Sequence, residues 1–222
     1  MEIVEDLVFR QKLVDTLKDK HTDRKDEIVH ASDLDFCLRK AYLNRIEPSP
    51  PDFTTLLQFM RGTILQAMLT TGKGEISYEW ENITSSIDEQ AFGRLIEFKT
   101  TITGSKQQFE KQSFYDHWVT RMMTYAIAKD TNQITLAVLY LLGEGRFAKT
   151  NSDPDLRCFT FTFTPDELNQ HKVWLRWRRD EMLQAFRTKV APGVATRIGS
   201  WECKSCPKFV KYCAKELLGV DS

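Results

Sequence analysis

The chain alternates between stretches in which apolar residues recur every three or four positions and stretches in which they recur every second position. The first spacing places apolar side chains on one face of a helix, and the second places them on one face of a strand. Ser32, with Asp35 three residues later, predicts the start of a helix that contains Cys37. The other predicted helices cover about residues 2–19, 53–70, 113–129 and 165–189, the last beginning after Thr164 at a proline.

Strand patterns dominate the middle of the chain. Residues 76–99 fit two strands joined by a turn near residues 91–93, and Leu95–Phe98 is the best-defined strand segment. An apolar run at residues 134–142 has the length of a strand, and residues 157–164 alternate phenylalanine with polar residues, as an edge strand does. Strands that alternate with helices predict one α/β domain, in which helices flank a mixed sheet and helical segments lie at both ends.

The composition predicts a folded protein and leaves its partners open. Of the 222 residues, 41% are hydrophobic, which is enough for a sizeable core and excludes wholesale disorder. The 31 basic and 31 acidic residues cancel, so the net charge gives no reason to expect nucleic-acid binding. The charge is uneven, however, because residues 172–215 contain eleven basic and three acidic residues and carry a net charge of +8.

Two features of the sequence bear on the location of the protein. No apolar run approaches the ~18 residues that a membrane helix needs, so we expect no membrane insertion. The first six residues include three acidic and no basic ones, unlike the start of a secretory signal peptide. We therefore expect a cytoplasmic protein, in which thiols stay reduced.

Four of the five cysteines have the spacing of a metal centre. Cys203, Cys206 and Cys213 form a C-x2-C-x6-C pattern, and Cys37 lies 166 residues before the first of them. Clustered cysteines in a reducing compartment favour a metal over disulfide bonds. Four thiolates suit Zn²⁺ or a cubane iron–sulfur cluster equally well, so the spacing leaves both open. The fifth cysteine, Cys158, lies in the phenylalanine-rich strand and is expected to be a core residue.

Two carboxylates and a lysine form a second candidate site. Asp88 precedes Glu97 by nine residues, and Lys99 follows Glu97 by two. Alternation places Glu97 and Lys99 on one face of a strand, and a hairpin turn can bring Asp88 beside them. Neighbouring carboxylates repel each other unless a cation lies between them, so the pattern predicts a Mg²⁺ or Mn²⁺ site. Ordinary surface strands also alternate charges, which is the simpler alternative.

The chain order of the candidate residues is itself informative. In that order they are Cys37, the helix segment Arg61–Gln66, Asp88, Glu97-Phe98-Lys99, a helix with Arg121 and Tyr125, and finally Cys203, Cys206 and Cys213. This arrangement resembles the RecB-like nucleases of the PD-(D/E)xK superfamily that carry an iron–sulfur cluster, and especially the single-domain CRISPR-associated exonucleases. The resemblance extends from Ser32 to Cys213.

The resemblance implies a fold, cofactors and site residues. The fold would be a restriction-endonuclease-like PD-(D/E)xK core in one nuclease domain, residues 1–222, divided into an N-terminal helical part (1–71), a nuclease core (72–164) and a part with the long helix and the cysteine cluster (165–222). The implied cofactors are a [4Fe-4S] cluster on Cys37, Cys203, Cys206 and Cys213, and Mn²⁺ or Mg²⁺ on Gln66, Asp88 and Glu97. The implied catalytic residues are Asp88, Glu97, Lys99, Arg121 and Tyr125.

The sequence departs from the family at three positions. Gln66 stands where the family has a metal-binding histidine, and an amide oxygen is a weaker ligand for a divalent ion than a well-placed imidazole. Arg121 stands where the family has glutamine, four residues before Tyr125, and these two side chains share a helical face on which they could hold a substrate phosphate. Ser85 replaces a glycine three residues before Asp88.

The activity that the resemblance implies is metal-dependent cleavage of DNA at single-stranded ends or flaps, by an exonuclease or endonuclease. Its polarity would be 5′ to 3′, and its setting would be CRISPR adaptation beside the spacer-integration complex. Two alternatives stay open. One is a nuclease of the same fold in DNA repair or on a mobile element, and the other is a DNA-binding homologue in which the changes at positions 66 and 121 have weakened hydrolysis.

Other polar residues have weaker signals. The segment Arg176–Arg179, together with Lys204, Lys208 and Lys211, mixes cations with tryptophan, as a groove for single-stranded DNA does. A long helix with a solvated charged face is the simpler alternative. His30 and His171 have no evident partner and are expected to be structural.

Overall fold

The computed structural model describes residues 7–19, 27–48, 51–71, 75–101, 116–141, 154–196, 198–199, 201–204 and 206–218. Within these ranges the helices are α1 (Leu7–Asp19), α2 (Ala31–Leu34), α3 (Leu38–Ile46), α4 (Phe53–Leu69), α5 (Asp116–Ala128), α6 (Pro165–Thr188), α7 (Trp201–Lys204), α8 (Phe209–Tyr212) and α9 (Ala214–Leu218). The strands are β1 (Val29–His30), β2 (Ile76–Trp80), β3 (Ile83–Ile87), β4 (Glu89–Ala91), β5 (Arg94–Thr101), β6 (Gln133–Tyr140) and β7 (Asp155–Thr162).

The strands form two sheets of mixed direction. In the first sheet, β3 pairs in parallel with β1 and antiparallel with β2. In the second sheet the order is β4-β5-β6-β7, with β5 and β6 parallel and the two outer pairs antiparallel. A parallel pair needs a long connection, and the segment between β5 and β6 contains α5. The predicted fold class, an α/β core of mixed sheet flanked by helices, is confirmed.

Two apolar clusters hold the helices against the sheets. One joins α2, α3 and α6 to the first sheet, with Leu34 and Leu175 fully buried. The other packs α5 against the second sheet, with Met122 and Leu136 fully buried. Burial of each such side chain contributes roughly 1.5–3 kcal/mol. The second cluster fixes α5 over β5 and β6, and it thereby positions the candidate site.

Most of the predicted helices are present with small changes in length. The long helix α6 begins as predicted, because Thr164 accepts a hydrogen bond from the backbone N–H of Glu167 at 3.2 Å. It ends at Thr188, and the C-cap residue Lys189 has a left-handed φ of 58°. Helices α1 and α5 are described from Leu7 and Asp116 onward, and the earlier part of each prediction lies outside the described residues. None of the helices in the described ranges is long and apolar enough to cross a membrane.

The helix predicted to start at Ser32 is in fact divided in two. The first piece, α2, has His30 rather than Ser32 as its N-cap, and the His30 backbone N–H donates to Asp33 at 2.9 Å. The second piece, α3, has Cys37 as its N-cap. Backbone carbonyls in and before the interruption accept hydrogen bonds from Arg178, a residue far along the chain. The local pattern that predicts one helix contains no sign of that partner.

The strand predictions are correct in position but not in number. Residues 76–99 contain four strands rather than two. The predicted turn is present at residues 92–93, where φ is 53° and 73°. The missed turn is at Glu81–Asn82, where φ is 46° and 63°, a conformation for which glycine is the usual signal.

The last strand, β7, is the predicted edge strand. Its alternate residues are exposed, and Cys158 is among them. The expectation that Cys158 is a core residue is therefore wrong. The inward positions of this strand are taken by Phe159 and Phe161, which pack against the second cluster.

Candidate active site

The hairpin of β4 and β5 brings the two carboxylates and the lysine together. Because β4 pairs antiparallel with β5, Asp88, the residue before β4, lies beside Glu97. The backbone N–H of Phe98 donates to Asp88 Oδ2 at 2.8 Å. Glu97 and Lys99 lie on one face of β5, and the Lys99 ammonium forms an ion pair with Glu97 Oε1. The structure thus places the three residues of the predicted Asp, Glu-x-Lys motif in contact or next to one another.

These side chains line a small cavity, here called the catalytic cavity, between the sheet and α5. Its volume is about 180 Å³. Arg121 and Tyr125, one turn apart on α5, also line it. All five residues that the sequence indicated as catalytic therefore share one cavity: Asp88, Glu97, Lys99, Arg121 and Tyr125.

The electrostatics of the catalytic cavity suit a divalent cation. Burial, reinforced by the charge of Glu97, raises the pKa of Asp88 to about 7. Glu97 is only 2% exposed, and within the described part of the chain its Oε2 has no hydrogen-bond partner. A buried carboxylate oxygen without a partner is destabilising. A hard cation between the two carboxylates would satisfy that oxygen and offset their repulsion, so this donor set fits Mg²⁺ or Mn²⁺.

Gln66 lies beside the catalytic cavity. This half-buried residue of α4 lines an open cleft of about 540 Å³, together with Asp88 and Lys99. Gly62, one turn earlier, lines the same cleft. The cleft is open at this point, because a Cβ added to Gly62 would meet no atom within 4 Å. The structure therefore brings Gln66 to the side of the cavity where Asp88 lies.

Arg121 is bound by the carboxylate of Asp35, which the sequence indicated only as part of a helix start. Its Nε donates to Asp35 Oδ2 at 2.5 Å, and the side chain of Asp35 is 1% exposed. Burial raises the pKa of Asp35 and the guanidinium opposes that shift. Burial acts to lower the pKa of Arg121, but the charges of Asp35, Tyr125 and Glu97, with the Asp35 hydrogen bond, together outweigh it and the net shift is upward. The guanidinium expected to hold a substrate phosphate is thus already engaged in a buried ion pair.

Two further residues near the site were missed from the sequence. His30, expected to be structural, lines the catalytic cavity, and so does Glu75, which precedes β2. Asp35 and Arg121 are 86 residues apart. No spacing rule connects residues at such separations. The sequence signal that could have placed His30 and Asp35 near the site is their position at the start of the segment that carries Cys37.

The cysteines from the two ends of the chain lie near one another at the start of α3. The backbone N–H of Cys37 donates to Glu202 Oε1 at 2.7 Å, which joins α7 to the N-cap of α3. Burial raises the pKa of Cys213; the charge of Arg39 opposes this shift, and the charges of Cys37, Cys206 and Cys203 reinforce it. Across the described residues, no group of three or more His, Cys, Asp or Glu side chains is placed to hold a metal ion.

Arg178 stabilises the segment between α2 and α3. Its side chain is 1% exposed and donates to the carbonyls of Leu34 at 2.6 Å and Thr196 at 3.0 Å, and also to that of Phe36. This basic residue is therefore an internal anchor, not part of a DNA groove. Its contacts hold the backbone on either side of Asp35.

Four of the five other cations of the predicted DNA groove also contact the protein itself, and the fifth, Lys204, is exposed. Arg176 and Arg179 both pair with Glu81, at 2.6 and 2.8 Å. Lys208 donates to the carbonyl of Glu47 and Lys211 pairs with its carboxylate. These contacts favour a structural role for the basic C-terminal region.

His171 agrees with the structural role expected for it. Its ring is buried and lies 2.9 Å from Thr124 Oγ1. It also stacks on Trp174, with ring centroids 5.1 Å apart.

Comparison with solved structures shows the fold. The chain is similar to the crystal structure of SSO0001, with a TM-score of 0.54 and 13% identity, over 95% of this chain and 98% of that one. It is also similar to the alkaline exonuclease LHK-Exo from Laribacter hongkongensis, with a TM-score of 0.51 and 14% identity, over 74% of this chain and 94% of that one. The chain has the fold of an alkaline exonuclease. No family model and no curated protein sequence matches the chain.

Proposed function

We propose that the protein is a divalent-metal-dependent nuclease that hydrolyses DNA at single-stranded ends or flaps. The observation that carries this proposal is the single cavity in which Asp88, Glu97 and Lys99 meet Arg121 and Tyr125. The fold shared with an alkaline exonuclease supports it. A second support is Oε2 of Glu97, which is buried and has no hydrogen-bond partner among the described residues. A bound cation would satisfy this oxygen.

Four residues of the catalytic cavity, and Gln66 beside it, have definable tasks in hydrolysis. Asp88 and Glu97 would hold Mn²⁺ or Mg²⁺, with Gln66 approaching from the cleft. When bound, the cation would neutralise phosphate charge and lower the pKa of an attacking water. Lys99 supplies a positive charge where negative charge develops on the attacked phosphate. Burial and the charge of Glu97 raise the pKa of Tyr125 well above its ordinary value, so its hydroxyl stays protonated and can donate a hydrogen bond to a phosphate oxygen.

The proposal includes a [4Fe-4S] cluster on Cys37, Cys203, Cys206 and Cys213. Its support is the hydrogen bond that ties Glu202 to the N-cap of α3, and the influence of the charges of Cys37, Cys203 and Cys206 on the pKa of Cys213. A cubane binds each thiolate through a different iron, whereas zinc draws all four to one ion.

The biological setting is proposed from the family resemblance. It is cytoplasmic CRISPR adaptation, with 5′-to-3′ trimming of spacer precursors beside the spacer-integration complex. Co-purification with spacer-integration proteins tests this role. A nuclease of DNA repair or of a mobile element would cleave DNA without that association.

Cleavage of a single-stranded oligonucleotide in Mn²⁺ tests the activity. The oligonucleotide carries its label at the 5′ or the 3′ end, so that the products report polarity. Glu97→Gln and Lys99→Met should each lower the rate by about 10²-fold or more, since each removes charge that stabilises the transition state.

The matched control is Glu89→Gln. Glu89 is also buried and directly follows Asp88, but its two oxygens accept the backbone N–H groups of Thr71 and Gln90, at 2.9 Å each, and glutamine can keep one of these contacts. This variant should cleave like the wild type. If Glu97→Gln cleaves as fast as Glu89→Gln, the proposed active site is wrong.

A further inference from the structure

A second hollow, here called the aromatic pocket, lies next to the catalytic cavity. Its volume is about 400 Å³, its lining is mainly apolar, and three rings line it, those of Phe36, His117 and Trp201. The Phe36 ring centroid lies 5.3 Å from that of His117 and 6.3 Å from that of Trp201. Trp201 is 53% exposed, although tryptophan is highly buried on average. The pocket therefore presents aromatic surface to a ligand.

The aromatic pocket and the catalytic cavity share the helix α5 as a common wall. His117 lines the pocket and Arg121 lines the cavity, and one helical turn of about 5.4 Å separates them. Asp35, which binds Arg121, also lines the pocket. Stacked nucleotides of one strand are spaced about 3.4 Å apart. A base one or two nucleotides from a phosphate in the cavity can therefore reach the pocket.

The polar groups of the aromatic pocket suit a base and not a phosphate. Asp35, Asp116 and Thr120 line it, and none of the described residues around it is a lysine or an arginine. Burial, together with the charge of Arg121, lowers the pKa of His117, so its ring is neutral at pH 7. Carboxylates repel a phosphate but accept hydrogen bonds from the exocyclic amino groups of bases. Aromatic side chains stack on the faces of bases of any sequence.

We propose that the aromatic pocket binds one nucleobase of the single-stranded DNA whose nearby phosphate enters the catalytic cavity. That the ligand is single-stranded DNA rests on the proposed nuclease function. Trp201 is the main stacking surface, because it is the most exposed of the three rings. It begins α7, whose Glu202 binds the backbone of Cys37, so the segment that anchors the cysteines also positions the stacking ring.

Binding without cleavage tests the proposal. Fluorescence anisotropy in EDTA measures the affinity for a short labelled oligonucleotide that carries one abasic residue at successive positions. The variants are Trp201→Ala and Trp201→Phe. The matched control is Trp177→Ala, since Trp177 is 47% exposed but lies on α6.

Trp201→Ala should weaken binding by about 5- to 100-fold, the range of one base–aromatic stack. Trp201→Phe should retain most of the affinity, and Trp177→Ala should stay within about twofold of the wild type, as expected for a residue outside the interface. In the wild type, one abasic position should weaken binding to a similar degree. The same abasic position should have no further effect in Trp201→Ala, because both changes remove one stack.

Three outcomes would overturn the proposal. The first is equal DNA affinity for Trp201→Ala and Trp177→Ala. The second is a loss of affinity at the abasic position that is the same in the wild type and in Trp201→Ala. The third is a wild-type protein whose affinity is insensitive to an abasic residue at every position tested. The last is decisive even if Trp201→Ala does not fold. Because EDTA prevents metal-dependent hydrolysis, a protein that shows the predicted coupling but does not cleave in Mn²⁺ would refute the nuclease function and leave the pocket assigned.

Discussion

The buried ion pair between Asp35 and Arg121 should be costly to break from one side. The Asp35 side chain is 1% exposed and that of Arg121 is 23% exposed. Arg121→Gln, which installs the residue of the resembling family, leaves the Asp35 carboxylate buried without its counter-charge. Removing one partner of a buried ion pair lowers the free energy of unfolding by about 3–5 kcal/mol. Because Arg121 is partly exposed, we expect a smaller decrease, of about 2–3 kcal/mol.

The double variant should recover part of that loss. Asp35→Asn alone leaves a partly solvated guanidinium, at a cost of about 1–2 kcal/mol. With Asp35→Asn and Arg121→Gln together, two neutral amides face each other and no buried charge remains. The coupling free energy should therefore be about 1–2 kcal/mol. Urea denaturation at pH 7 gives the free energies of unfolding for the four proteins.

A surface pair provides the control for this cycle. Lys189 and Glu27 also form an ion pair, but their side chains are 66% and 63% exposed. Replacing both by glutamine should show a coupling of less than about 0.5 kcal/mol. If the effects at Asp35 and Arg121 are additive within about 0.5 kcal/mol, the ion pair contributes no specific stability and the reasoning is refuted.

Three further predictions concern a metal ligand, a buried histidine and the cysteines. Gln66→His should lower the Mn²⁺ concentration for half-maximal cleavage, because imidazole is the stronger ligand; coincident titration curves would place Gln66 outside the metal's ligands. Burial lowers the pKa of His171 to about 4 from 6.5. The unfolded state therefore takes up a proton first as the pH falls, and the free energy of unfolding should decline between pH 6.5 and 4. His171→Gln should flatten this decline, and an unchanged profile would contradict the assignment. Cys206→Ala should lose iron and thermal stability, whereas Cys158→Ala, at an exposed position, should retain both; equal iron content in the two variants would contradict the cluster.

The elements that the sequence predicted well are those whose signals are local. The start of α6 is encoded by Thr164, Pro165 and Glu167 within one helical turn. The break between α2 and α3 was not predictable, because it is held by Arg178, which is 144 residues from Leu34. Asn82 was the one turn signal at Glu81–Asn82, because asparagine tolerates a positive φ, but without glycine it was too weak to divide the segment.

The residues of the candidate site also divide into those with local sequence signals and those placed by contacts between distant segments. Asp88, Glu97 and Lys99 lie within twelve residues, so alternation and one hairpin suffice to place them together. The helix α5 with Arg121 and Tyr125 is predictable as an element, but its position over β5 depends on packing of the second cluster. Asp35 reaches Arg121 only in the folded chain, because the two residues lie 86 positions apart and no spacing rule connects them.

The most direct test of the central claim is single-turnover cleavage of single-stranded DNA in Mn²⁺ by the wild type and by Asp88→Asn. Asparagine keeps the size of the side chain but removes the charge that would hold the cation beside Glu97. We expect Asp88→Asn to cleave at least about 10²-fold more slowly while binding the same DNA equally well in EDTA. Equal cleavage rates for the two proteins would contradict a metal-dependent nuclease site at Asp88 and Glu97.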